Sequence, residues 1–504
     1  MKLKTYFGIS AGFHDAAVSV IQSDGSILFA GHTERYSKNK NDAHLNDSII
    51  AEAMSYATPD VIAYYERPWV KKLQQLYSGQ YEEAFDFGNF TLDQYLRKHL
   101  SDTVHRQRLL RCPRKYMSHH HSHAAAGFQS SPYNRATVVV IDAIGELDTV
   151  TIWGAEYDRK GMARYKRLWT QHYPHSIGLF YSAVTGRVGL RPLDEEYILM
   201  GMSAYGNPNV RARMQLDLVD NEWEIRFREN LHTGLDSGYL SDYSDMDLAA
   251  GAQHLVEDLI LNVMARAKQF HWSKNLVYMG GVALNCAANA RIGGYFDDIW
   301  IMPNPGDAGS SLGAAALAHG GKLNWTTAYL GHNIPGPYPV TDIIEELTIN
   351  KIVGVASGRA EFGPRALGNR SLLADPRGAD IKDRVNDIKR RQQFRPFAPV
   401  ILEEHVDMYF DMPRGFHNSR YMQVIARCRH PHIFPAIVHR DGTSRVQTVP
   451  PDGSGIRQLL EEWYKNTGCP MLLNTSLNIR GEPMVNDRAD ADRFKKLYGI
   501  TVCT

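Results

Sequence analysis

Cysteine is scarce. The 504-residue chain holds five, Cys112, Cys286, Cys428, Cys469 and Cys503, and no two form a Cys-x-x-Cys pair. A thiolate zinc knuckle and a disulfide framework are therefore not expected. Charge imbalance is lacking as well: 56 basic residues against 55 acidic ones leave a net charge of +1. Nothing draws the chain as a whole to a polyanion, although a local basic groove stays open. No apolar run approaches the roughly twenty residues that span a bilayer. The opening MKLKTYFGIS enters a strand directly instead of reading as a signal peptide. These absences point to a cytoplasmic protein with no membrane partner. What remains, 43% hydrophobic and 22% charged residues, describes an ordinary globular protein, long enough for two or three domains.

Histidine is concentrated where it can bind a metal. His119 and His123 stand four residues apart in Ser-His-His-His-Ser-His, so on a helix they face the same way. Asp142 closes the apolar run Ala136 to Ile141, and Asp307 sits in the glycine turn Asn-Pro-Gly-Asp-Ala-Gly-Ser before a small-residue helix expected over Leu312 to Ala318. Together these residues could close a mixed nitrogen and oxygen metal site. Taken alone, the His-rich turn is equally a solvated or capping helix start.

Hairpins recur. Strands are expected over Thr5 to Ser10, Ala16 to Gln22 and Ser26 to Gly31 around an Asp24-Gly25 turn. The pattern returns over Ala136 to Asp142, Thr149 to Tyr157 and Met162 to Leu168, which predicts a duplicated α/β core of the actin-like ATPase kind. A third strand, Asn275 to Met279, runs into Gly280-Gly281 and a helix expected to carry Asn285 and Asn289, a setting for phosphate or ribose oxygens. Ser176 to Gly206 reads as helix-rich, with Glu195 and Glu196 facing either ligand or solvent. Thr327 to Asp342, rich in glycine and proline, reads as a linker.

Beyond the linker the character changes. After a strand at Lys351 to Ala356 come Arg359, Arg365 and Arg370 in a Gly-Pro-Arg turn. A basic stretch then carries Arg384, Lys389, Arg390, Arg391 and Arg395, followed by Pro396-Phe397-Ala398-Pro399. Guanidinium forks suit phosphate and carboxylate. With the polar stretches around His439 to Thr448 and Leu472 to Asn478, they predict a pocket for a small anionic planar ligand and a nucleotide.

Ten segments in order carry a family resemblance: GISAGFHDAAVSVI, HHHSHAAAGFQSSPY, IDAIGE, EYILMGMSAYG, GGVALNC, PGDAGSSLGAA, GRAEFGPRALGNRSLLADPR, VNDIKRRQQFRPFAPVIL, HRDGTSRVQTV and LLNTSLNIRGEPMV. Over nearly its whole length the chain resembles the O-carbamoyltransferases of the NodU/CmcH type. The resemblance implies an α/β protein. A duplicated actin-like (ASKHA) domain similar to tRNA threonylcarbamoyl transferases would span residues 1–335, and an α/β YrdC-like domain residues 346–504. It implies that the second domain makes carbamoyladenylate from carbamoyl phosphate and ATP, and that an acceptor hydroxyl attacks the carbamoyl carbonyl in the first.

Carried over by motif, His119, His123, Asp142 and Asp307 would hold a divalent metal, iron(II) before magnesium. Gly280, Gly281, Asn285 and Asn289 would lie near the adenosine, and His14 would position or deprotonate the acceptor. Arg365, Lys389, Arg391, Arg395, His439, Arg445, Asn474 and Ser476 would bind carbamoyl phosphate and the ATP phosphates. Ala143 replaces a usual glycine, and Ile198 stands where relatives often show lysine, so a contact expected there is in doubt. The expected acceptor is a hydroxylated small metabolite. The alternative is a hydroxymethylated pyrimidine in DNA or a nucleotide, prompted by the basic run from His105 and Arg106 through Arg114 and Lys115. A further alternative is an actin-like ATP-binding regulatory module without transfer chemistry. The acylphosphatase module and zinc-binding cysteine pairs of the hydrogenase-maturation relatives are not recognisable in the sequence.

Overall fold

The computed structural model describes residues 3–85, 91–378, 380–392, 394–395 and 397–504. Pro396 of the proline-bounded stretch lies outside them. The first sheet contains β1 (Thr5–Ser10), β2 (Ala17–Gln22), β3 (Ile27–His32), β4 (Val61–Tyr64) and β5 (Arg114–Tyr116), in the order β3-β2-β1-β4-β5. The hairpin strands are antiparallel, whereas β4 and β5 continue parallel to β1. A second sheet repeats this plan. Its strands β6 (Arg135–Gly145), β7 (Asp148–Tyr157), β8 (Ala163–His172), β9 (Asn275–Met279) and β10 (Asp298–Trp300) lie in the order β10-β9-β6-β7-β8. Again a hairpin meander is followed by two parallel strands. The duplication expected from the two hairpins is thus present strand for strand.

Helices α1 (His119–Ser130) and α5 (Gly309–His319) pack against each other between the sheets. Between them in sequence come α2 (Ile177–Arg187), α3 (Glu196–Met202) and α4 (Asp245–Gln269), which share a separate core with the second sheet. The α1–α5 approach needs glycine. A Cβ on Gly313 would lie 1.8 Å from the Ser122 carbonyl oxygen, and one on Gly8 would lie 1.8 Å from that of Ser311. Strand β6 is buried from Ala136 through Asp142, as expected of a central strand covered on both faces.

Three expectations change. The segment read as a linker contains β11 (Tyr329–Ile334), which, past β12 (Ile352–Ala356), pairs antiparallel with β13 (Gly358–Glu361). The backbone of this glycine- and proline-rich stretch is satisfied by a partner some thirty residues away, which local composition does not report. The helix expected after Gly280-Gly281 is only a 3-10 turn at Gly281–Leu284 and a single turn at Cys286–Asn289. Helix α5 starts earlier than expected, directly behind Asp307.

The rest of the chain builds a six-stranded mixed sheet around a third core. Besides β12 it contains β14 (Arg370–Ala374), β15 (Ala398–Leu402), β16 (Gln447–Val449), β17 (Met471–Ser476) and β18 (Val502–Cys503), in the order β16-β15-β17-β14-β12-β18. The basic segment forms α6 (Ile381–Lys389).

Candidate active site

Three elements deliver four side chains to a buried point between the two duplicated sheets. His119 opens α1, and His123 follows one turn later on the same face. Asp142 lies where the β6–β7 ladder breaks between Ile141 and Gly145, and Asp307 lies in the turn before α5. All four are buried. The two Nε2 atoms are 3.1 Å apart. Asp142 Oδ2 is 3.2 Å from His119 and 3.3 Å from His123, and Asp307 Oδ1 is 3.3 Å and 3.2 Å from them. One ligand atom from each residue falls within 4.8 Å of all the others.

The surroundings orient these atoms inward. His123 Nδ1 donates to the Pro305 carbonyl at 3.0 Å, which leaves Nε2 facing the cluster. Asp142 Oδ1 accepts from the Gly281 amide at 3.2 Å, leaving Oδ2 for the imidazoles. Glu66 Oε2 stands 3.7 Å behind His119 Nδ1. Burial pulls the His119 pKa down, yet the charge of Asp307 and hydrogen bonds to Asp142, Asp307 and Glu66 hold it well above the usual range. Burial pushes Asp142 up, and hydrogen bonds from His119 and His123 hold it well below. The protein thus binds protons where a divalent cation would replace them. Two nitrogens and two oxygens fit a first-row metal such as iron(II) better than magnesium, which favours oxygen alone.

The neighbouring histidines of the run do other work. His120 Nδ1 bonds Thr151 Oγ1 at 2.9 Å, and His121 stacks on Trp153 with ring centroids 5.1 Å apart. His14 approaches from β1: its Nδ1 is 2.9 Å from Asp15 Oδ2, and its Nε2 is 3.5 Å from Asp307 Oδ2. One oxygen of Asp307 therefore faces the imidazole pair and the other faces His14.

Gly280 supplies a left-handed turn with φ of 93°, and a Cβ there would lie 2.1 Å from the Ile141 carbonyl. Asn285 forms a reciprocal amide pair with Gln253, 3.0 Å in each direction. Asn289 departs from expectation. It is fully buried, and its Nδ2 donates to the carbonyls of Ala283 and Gln423. A group so enclosed fastens this turn to the C-terminal part of the chain and does not face an open pocket.

In that part Arg365, Lys389, Arg391, Arg395 and Arg445 gather. Burial and then Arg445 push the Arg365 pKa down, and burial, Arg391 and Arg395 do the same for Lys389. Among the described residues no carboxylate lies within ion-pair distance of Arg365, Lys389 or Arg395. Arg445 Nε is buried without a hydrogen-bond partner. Lys389 Nζ donates to the Ser476 carbonyl at 2.6 Å and also reaches Asn478 Oδ1. Arg391 stacks over Phe397. His439 meets Tyr205 edge-on at 5.2 Å. Asn474 spends its Nδ2 on Ala366 O and Gln447 Oε1, so it braces the Gly-Pro-Arg turn and leaves only Oδ1 buried and unpaired. Arg365 and Pro305 line the same narrow cavity, which brings the cationic group beside the loop that holds His123.

Sequence reading missed Glu66 and Arg67, although the signal was there: an acid just beyond a short apolar strand, as at Asp142. Arg67 forks onto Glu146, with Nη2 2.5 Å from Oε2. The two departures are absorbed. Ala143 lies in β6 outside the left-handed region, and Ile198 is buried in the second core. Part of the basic run is spent on backbone carbonyls, while Arg108 and Arg111 are exposed. Arg106 and Arg114 donate to the carbonyls of Leu100, Leu110 and Cys112, and Lys115 donates to that of Ala318. No helix among the described residues is long and apolar enough to cross a membrane. A separate surface cavity of about 890 Å³ opens near Arg135, Trp272, Lys274 and Arg414, at the end of the second sheet opposite Asp142.

Comparison with known proteins agrees with this two-part layout. Residues 5–316 match the carbamoyltransferase N-terminus and residues 344–502 the carbamoyltransferase C-terminus. An uncharacterized protein of Synechocystis is 32% identical, over 96% of this chain and 93% of its own. Nodulation protein U of Rhizobium tropici is 28% identical over 96% and 92%, and nodulation protein NolNO of Sinorhizobium fredii 29% over 95% and 76%. The alternative of a regulatory module without transfer chemistry falls with these matches: the protein belongs to the carbamoyltransferase family and is a transferase.

Proposed function

We propose that the protein is an ATP-dependent O-carbamoyltransferase acting in the cytoplasm on a hydroxylated small metabolite. Residues 1–335 form the transfer domain, and residues 346–504 form a YrdC-like domain that makes carbamoyladenylate. The observation that carries the reading is the coexistence of two unlike sites. One is a buried two-histidine, two-aspartate cluster, and the other is a group of half-buried arginines around the buried Lys389.

Arg365, Lys389, Arg391, Arg395 and Arg445 bind the phosphates of carbamoyl phosphate and ATP, with His439, Asn474 and Ser476 at the margin. Loss of phosphate from carbamoyl phosphate by hydrolysis yields carbamate. Its oxygen attacks the α-phosphorus of ATP, and pyrophosphate departs. Fixed guanidinium groups stabilise the charge that builds on the displaced oxygens without reorganising at that moment. Carbamoyladenylate then meets the acceptor between the duplicated sheets, with Gly280, Gly281 and Asn285 beside the adenosine. His14 is bonded to Asp15, and against its burial Asp307 and Asp15 hold its pKa up at about 9. A cation held by Asp307 and Asp142 would offset those charges and favour the neutral imidazole, which takes the acceptor proton as the hydroxyl oxygen attacks the carbonyl and AMP leaves. His119, His123, Asp142 and Asp307 would hold a divalent metal, which supplies Lewis acidity to the departing phosphate.

The test is mass spectrometry of purified protein incubated with ATP, carbamoyl phosphate and iron(II), first alone and then with a panel of hydroxylated acceptors. Carbamoyladenylate and pyrophosphate are expected without acceptor, and an ester-linked carbamoyl group on one acceptor. Metal-loaded protein that releases no pyrophosphate would sink the reading.

A further inference from the structure

Helix α3 and the 3-10 turn after it, Ser203–Tyr205, belong to the second core yet reach the cationic site. Ile198, Leu199 and Met202 anchor the element among the buried side chains there. Its two tyrosines point elsewhere. The Tyr197 ring lies between two cations from different parts of the chain: Arg395 with its guanidinium carbon 4.9 Å from the ring centroid, and Lys40 with its ammonium 5.1 Å away. Tyr205 donates its hydroxyl to the Phe394 carbonyl at 2.8 Å, and its ring meets that of Phe394 at 5.6 Å. The same ring touches His439 edge-on and carries Arg440 over its face at 5.4 Å. Both tyrosines therefore grip one dipeptide, Phe394-Arg395.

Arg395 needs such a grip. It sits within electrostatic reach of Arg445, Arg391 and Lys389, and the charge of Glu195 and a side-chain bond with Tyr197 offset that repulsion in a partly dry setting. An aromatic face offers negative potential without a formal charge that would compete with phosphate. A carboxylate in the same place would neutralise the site.

The other side of Tyr197 leads toward His14. Lys40 bonds Asp194 at 2.5 Å, and Asn41 donates to the same oxygen at 3.0 Å. The carbonyls of Asn41 and Asp42 accept from the amides of Asp15 and Ala16. A continuous line of contacts thus runs from the turn carrying His14, through Lys40 and Tyr197, to Arg395.

We propose that Tyr197 and Tyr205 are positioning residues that hold the Phe394-Arg395 dipeptide in the anion site and join it to the loop beside His14. Neither touches the reacting atoms. The inference rests on the reading of the cationic group as a phosphate site, but not on the identity of the acceptor.

The test is calorimetric binding of inorganic pyrophosphate to the full-length protein. Tyr197→Leu is expected to raise Kd about tenfold, a cation–π contact of roughly 1.4 kcal/mol in a desolvated site. Tyr197→Phe, which keeps the ring but loses the hydroxyl bonded to Arg395, is expected to raise Kd about threefold. Tyr205→Phe removes one oxygen and is expected to weaken binding about threefold through the lost bond to Phe394. A merely structural role would shift the unfolding midpoint in all three and leave affinity alone, so urea midpoints are taken alongside. Unchanged affinity in Tyr197→Leu, or equal damage from Phe and Leu, overturns the inference. Should Tyr197→Leu fail to fold, Tyr205→Phe decides, and wild-type affinity there overturns it. Wild-type protein that binds no pyrophosphate overturns it as well. The expected pattern in protein that makes no carbamoyladenylate leaves the inference standing and removes the proposed reaction instead.

Discussion

Asp307 presents one oxygen to His119 and His123 and the other to His14, so a single substitution bears on both the proposed metal cluster and the proposed acceptor base. Asp307→Asn keeps the shape and removes the charge. It is expected to lower bound iron from about one per chain to well under half, because a neutral amide is a poor ligand for a hard dication. Metal analysis after gel filtration reads this. Proton linkage has a definite sign here. The folded-state pKa of His119 is raised above its unfolded value. Its protonation therefore contributes stability that is fully present below about pH 6.5 and fades as pH climbs through the folded value. Metal-free protein is expected to lose stability as pH rises above that point, and iron-loaded protein much less, since bound imidazoles are already neutral. Urea midpoints of chelated and loaded protein between about pH 6 and about pH 9 check it. At the second site the cost of gathering cations is the lever. Arg365→Met is expected to stabilise unliganded protein slightly while weakening ATP binding at least tenfold, because a half-buried cation beside Arg445 and Arg395 is replaced by a neutral side chain.

The four residues of the proposed metal cluster were legible in the sequence because each follows a local pattern: HxxxH at helical spacing, an acid ending an apolar run at Asp142, and an acid in a glycine turn at Asp307. Tyr197 was not. Its importance depends on Lys40 and Arg395, which lie 157 and 198 positions away along the chain, and no periodicity records that. Asn289 was equally unreadable, since an asparagine after a glycine turn looks the same whether it faces a ligand or the Gln423 carbonyl to which its Nδ2 donates. What the sequence could not convey about α1 was how it is held. Its two ligands stay in register because α5 approaches it at Gly313, where a Cβ would meet the Ser122 carbonyl oxygen at 1.8 Å. Gly313→Ala must push one helix off the other. It is expected to destabilise the protein by about 1–3 kcal/mol through overpacking. It should also lower iron content although no ligand is changed, and thermal unfolding combined with metal analysis would reveal both. A variant that loses stability but keeps full iron would mean that the α1–α5 contact does not govern the cluster.

At the scale of the molecule, the cores are tied together by shared apolar residues, Phe362 in the first and Phe416 and Val424 in the second, and by buried and half-buried polar bonds. Arg35 donates to the carbonyls of Glu361 and Gly363, and Arg359 Nη2 to that of Leu28 at 2.7 Å. Asn289 holds Gln423, Tyr205 holds Phe394, and Lys38 pairs with Asp490. Each such bond is exchanged for bonds to water if the parts separate, a net loss of roughly 0.5–1.5 kcal/mol apiece. Several act at once, so the parts are expected to unfold as one unit. A ligand bound to the native state alone stabilises it by RT ln(1 + [L]/Kd), about 2.7 kcal/mol at a hundredfold excess over Kd. Iron at the first site and ATP at the second should therefore each raise the midpoint of the same calorimetric transition, and together they should raise it further. Two transitions, one moved only by iron and the other only by ATP, would mean that the bonds around Arg35 and Asn289 do not couple the parts. Handover of an activated carbamoyl group would then have to proceed between bodies free to move apart, and the contacts from Arg395 through Tyr197 to Lys40 would be the remaining link between the two sites.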